Sequence, residues 1–113
     1  MEIIVFILIW VVVPALLCCW TNLKEVREYT EEKIRSSGMT LNNESWNYNF
    51  IVSVVGARSN GLCSGNVTVG LYTSTTLPNG VRGMVIIKEV GSTLIQPSLN
   101  NSVINLVGQF FKR

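Results

Sequence analysis

The sequence predicts an all-β, antiparallel fold, a barrel or a sandwich, preceded by an apolar N-terminal helix and a short amphipathic helix. Three observations carry that reading. After Asn49 the chain turns into runs dense in β-branched and aromatic residues. Asn60-Gly61 and "LPNG" separate these runs with residues suited to tight turns. No helical spacing intervenes between them, which favours strands paired with their sequence neighbours.

The chain has 113 residues, and its first fifth is unlike the rest. About 90 residues remain to fold, enough for one modest core. Ile3 to Trp20, "IIVFILIWVVVPALLCCW", carries no charged side chain and one breaker, Pro14. Its length fits a signal peptide spanning residues 1–21; an uncleaved signal anchor formed by residues 3–20 is the alternative. Only the anchored form would bring a membrane partner. From Asn22 to Arg35, "NLKEVREYTEEKIR" places Leu23, Val26, Thr30 and Ile34 at helical spacing. Three i,i+4 pairs support it: Lys24 with Glu28, Arg27 with Glu31, and Glu31 with Arg35. Ser36 to Asn49 has neither period and reads as a loop.

Strands follow. "FIVSVVGA" runs to an Asn-Gly turn, "LCSGNVTVGLYTST" returns, and "LPNG" turns again. "VRGMVIIKEVG", "STLIQ" and, beyond Pro97, "SVINLVGQFF" complete the series.

Composition removes whole classes of chemistry. The chain has no histidine and no aspartate, so a Ser-His-Asp or Cys-His site has no residue to act as its base. Past residue 21 there is one cysteine and six glutamates, four of them in the helical segment, which predicts no metal site. No cofactor is indicated, because no phosphate-cradling glycine motif is present. Glu44 and Glu89 stand alone and read as solvated surface groups. Beyond residue 21 nine Lys or Arg face six Glu, scattered and without an aromatic-and-basic stripe, so no nucleic acid partner is indicated. Three N-x-[ST] triplets, at Asn43, Asn66 and Asn100, suit a secreted glycoprotein. A chain this rich in Asn, Ser and Thr makes about two such triplets by chance.

"NYNFIVSVVGARSNGLCSGNVTVGLYTSTT" resembles the first barrel of trypsin-like (chymotrypsin-fold) serine proteases, especially of insect type. There "P-[YF]-x-V-S-[LI]" leads to "C-G-G-[ST]-[LI]-I" and on to "[VL]-[LI]-T-A-A-H-C". Phe50 to Val54, Cys63 to Thr68 and Leu71 to Leu77 occupy these three blocks. The resemblance implies a six-stranded Greek-key barrel over residues 36–113, truncated before the second barrel. It also implies a propeptide-like helix at residues 22–35 and an activation-like cleavage between Arg35 and Ser36. The family's new N-terminus begins Ile-Val, whereas here Ser36 and Ser37 stand in its place. Thr76 holds the catalytic histidine's position, and a threonine hydroxyl cannot act as the base at neutral pH. Cys63 becomes an unpaired cysteine whose partner position is Leu77. The implied protein is an inactive, secreted protease homolog that binds a protease, an inhibitor or a second copy of itself through an exposed barrel face. The alternatives are a signal-anchored protein with an unrelated β-sandwich ectodomain for adhesion or regulation, and a truncated product without function.

Overall fold

The computed structural model describes residues 4–12 as backbone, together with residues 20–42 and 46–112. Five strands and two helices follow in the order β1 (Ile4–Val12), α1 (Leu23–Ser36), β2 (Thr40–Leu41), β3 (Tyr48–Ser59), β4 (Leu62–Thr76), β5 (Arg82–Gln96) and α2 (Asn100–Phe110). The strands form one sheet in the order β2-β1-β3-β4-β5. Among the described residues no helix is long and apolar enough to cross a membrane.

The antiparallel β3-β4-β5 meander is the centre of this sheet. Asn60 and Gly61 both take positive φ, 52° and 77°, and this two-residue turn pairs Ser59 with Leu62. Such a turn twists in the sense that adjacent strands require. Gly56 faces Gly65 across the pair, and a Cβ on Gly65 would collide with the Val55 carbonyl oxygen. The second turn closes through Leu77 N–H to the Val81 carbonyl at 2.8 Å, with Gly80 at φ 85°. A bulge between Leu71 and Tyr72 shifts the β4–β5 register, so that Leu71 faces Lys88 and Tyr72 faces Ile86.

Both helices cover one face of the sheet. On α1, Val26, Thr30 and Ile34 are buried as their spacing predicts, while Leu23 remains exposed. Lys24–Glu28 (4.0 Å) and Glu31–Arg35 (3.7 Å) form as i,i+4 pairs on its solvent side. These helical residues share the core of the strands: Phe50, Val52 and Val54 of β3, and Cys63, Val67, Val69 and Leu71 of β4. Phe50 meets Phe110 edge-on at 5.1 Å and stacks on Phe111 at 5.6 Å. Asn100 stitches the two helix starts together. Its Oδ1 accepts from the Thr21 N–H at 2.8 Å, its Nδ2 donates to Thr21 Oγ1 at 2.8 Å, and its carbonyl accepts from Asn22 Nδ2.

Four expectations are corrected. Residues 4–12 are a strand and not part of an apolar helix: β1 lies parallel to β3 from Val5↔Tyr48 to Val12↔Val55. Six of its nine residues are β-branched, and a continuous apolar run suits a strand enclosed between neighbours. Residues 13–19, with Pro14 and most of the expected signal cleavage region, lie outside the described residues. "SVINLVGQFF" is helical. Val103, Leu106, Val107 and Phe110 fall at i, i+3, i+4 and i+7 and are all buried, so one helical stripe satisfies them. "VRGMVIIKEVG" and "STLIQ" are one strand, β5. The described sheet is therefore open, with β2 and β5 at its edges, and its strands do not form a closed six-stranded Greek-key barrel. The last of the expected strand segments instead forms α2 and covers the sheet's face.

Truncating the ring at the centre of this core is expected to be costly. Phe50→Ala should lose about 3–5 kcal/mol of stability, read as a lower urea midpoint; a loss under about 1 kcal/mol would contradict the packing described.

Candidate interaction face

The far face of the sheet carries no described helix. Strand alternation sends Ile51, Ser53 and Val55 of β3 to it, Ser64, Asn66, Thr68 and Tyr72 of β4, and Met84, Ile86, Glu89, Thr93 and Ile95 of β5. Near the middle, Tyr72 folds back over Gly70, whose missing side chain makes room: a Cβ there would lie 2.6 Å from the phenol's Cζ. The phenol donates to Glu89 Oε2 at 2.6 Å, a diagonal contact across the β4–β5 pair. Burial, then the hydrogen bond to Glu89 and that carboxylate's charge, push the Tyr72 phenol up to about 12. Glu89 is thus not the isolated group that its sequence neighbours suggest. Only the strand register brings Tyr72 to it.

Toward the β4–β5 turn the hairpin outruns the helices. Lys88 is the β5 residue that reaches the end of α2, donating to the Phe110 and Lys112 carbonyls. Beyond it Met84, Val85, Ile86 and Ile87 are all exposed, Ile86 to 58%. Val81 and Leu77 extend this apolar surface into the turn. No described strand pairs with the outer edge of β5, so its backbone groups face outward beside these side chains. On the helical side, a groove of about 480 Å³ between α1 and α2 is lined by Tyr29, Lys33, Asn105, Gln109, Phe111 and Lys112 among others.

The residues singled out from the sequence are dispersed. Arg35 and Ser36 form the last turn of α1, where Arg35 pairs with Glu31 and Ser36 Oγ donates to the Glu32 carbonyl. Thr76 ends β4 and is exposed, as is Leu77. Cys63 begins the same strand. Fourteen residues of extended chain separate it from position 77, about 46 Å, so those two positions could not share a bridge in this fold. Nor is Cys63 unpaired: it is fully buried and disulfide-bonded. Its sulfur lies 3.7 Å from the Pro97 carbonyl oxygen, a contact without a proton to share. The chain's other cysteines, Cys18 and Cys19, lie outside the described residues, as do Asn43, Glu44 and Arg113. Asn66 is exposed on the far face, and Asn100 starts α2. Among the described residues no three Cys, Asp or Glu side chains converge as metal ligands do. No family model, curated protein or solved structure matches the chain.

Two outcomes follow from this geometry. A phenol held above its ordinary value near 10 keeps its proton in the fold after the unfolded chain has lost it, so its contribution to stability is complete below about pH 10 and declines toward about 12. Tyr72→Phe should flatten that decline in urea titrations at increasing pH; identical slopes for both proteins would refute the assignment. For Cys63, alkylation of the denatured chain should label it only after reduction, as read by peptide mass mapping.

Proposed function

We propose that the protein is a non-catalytic binding domain of the secretory route, which takes a protein partner along the exposed β4–β5 hairpin. The observation that carries this reading is the run Met84-Val85-Ile86-Ile87: four consecutive exposed apolar residues on an edge strand beyond the reach of either helix. Apolar surface of this kind, beside unpaired backbone donors and acceptors, suits an extended segment that adds to the sheet and seats its side chains on the strand. The bulge opposite Tyr72 interrupts the ladder at Ile87 and sets the stretch from Arg82 to Ile86 apart from the rest of β5. A disulfide at Cys63 suits an oxidising compartment. The chain has neither histidine nor aspartate, which removes the Ser-His-Asp and Cys-His arrangements and is consistent with a binding role.

Kinship with trypsin-like proteases, as a degenerate first barrel, is a narrower proposal that rests on the β3–β4 hairpin bearing the first two blocks of the resemblance. The unbroken course of β4 through the third block, and the open edge of β5, count against it. The binding role does not depend on that kinship.

Gel filtration with light scattering and binding of an apolar dye test the hairpin. The native chain should bind the dye or self-associate, and Ile86→Lys should suppress this while shifting stability by no more than about 0.5 kcal/mol, as exposed sites do. A monomer that ignores the dye, or a variant indistinguishable from it, sinks the proposal.

A further inference from the structure

We propose that Asn66 carries an N-linked glycan that covers the end of the far face remote from the β4–β5 turn. The fold separates the sequons. Asn100 is committed on both sides of its amide to Thr21, and a sugar on its Nδ2 would have to stand where Thr21 Oγ1 lies 2.8 Å away. Asn66 is exposed in mid-strand, and its Oδ1 accepts from Thr93 Oγ1 at 2.7 Å. That bond engages the oxygen, and Nδ2 is the amide atom that a glycan would take. Thr68, the hydroxyl member of the triplet, lies two residues on and on the same face, as the strand period requires.

The surroundings supply a second reason. Val55, directly opposite Asn66, is exposed; so are Leu62 and Ile95, the latter to 69%. These apolar side chains flank Asn66 without a described helix above them, and a bulky solubilising oligosaccharide rooted there would shield them. The hairpin surface stays open. Asn66 and Ser74, which faces Met84, are eight residues apart on β4, about 26 Å.

The modification joins Nδ2 of Asn66 to the anomeric carbon of an oligosaccharide donated by a lipid-linked diphosphate. The bond from that carbon to the phosphate oxygen breaks, its electron pair leaves with the diphosphate, and the amide gives up one proton. This inference shares with the proposed function the secretory route alone and needs no binding partner.

The test is expression of the full chain in a eukaryotic secretory host, with mass analysis before and after enzymatic removal of N-linked glycans in heavy-oxygen water. A glycan is expected at Asn66, read as the heavy label at that position. The label at position 66 should vanish in both Asn66→Gln and Thr68→Ala, with the loss of one glycan's mass, and persist in Asn43→Gln and Asn100→Gln. A secreted chain with no label at position 66, or one whose glycan mass is unchanged by both the Asn66 and the Thr68 substitutions, overturns the glycan alone. A chain that never enters the secretory route overturns it together with the route.

Discussion

The contact between α2 and the β3–β4 face is the constraint on which the rest of this structure depends. An open sheet has two faces and too few residues here to bury both, so stability requires one face to be covered well. Phe50 sits at that junction with no exposed surface, against Phe110 and Phe111, and the valines of both strands extend the same layer. Dispersion and removal of apolar area from water act together there, and ring pairs of this geometry add about 0.5–1.5 kcal/mol to the area term. α1 alone could not provide the cover, since three buried positions on fourteen residues make a narrow stripe.

What the cover leaves bare then follows from geometry. The helices end before the hairpin does, so the Met84-to-Ile87 run is exposed although its composition is that of a core. The far face handles its own centre by folding Tyr72 over Gly70 and tying it to Glu89, an arrangement that depends on a glycine at position 70 and on the bulge that displaces Ile87. Asparagine performs two opposite tasks in the same molecule. At position 100 the amide is consumed in joining the helix starts, and at position 66 it stands outward.

Much of the architecture was legible from local pattern. The α1 stripe, the Asn60-Gly61 turn and the meander beyond it depend on contacts within a few residues, where spacing and turn chemistry are decisive. The misreadings share a physical cause. A short apolar run satisfies a strand or a buried helix, and Val103, Leu106, Val107 and Phe110 hold helical spacing inside a stretch whose β-branched residues suggest a strand. The same ambiguity at Ile4–Val12 was resolved by the neighbouring strands and not by the segment itself. For the candidate site, sequence located Asn66, Asn100 and Cys63 but placed none of them in space. Tyr72 and Glu89, seventeen residues apart, met only through a register that the bulge had shifted.

By itself the sequence determined what chemistry is absent and where the chain turns, because both follow from residue identity: no histidine or aspartate can be created by folding, and Asn-Gly favours positive φ wherever it stands. Only the tertiary structure decided which apolar runs became covered. It kept the sheet open, made the last run a helix, bonded the buried Cys63 and left the β5 hairpin outside. Those outcomes depend on competition among segments for one limited core, and that competition has no local signature.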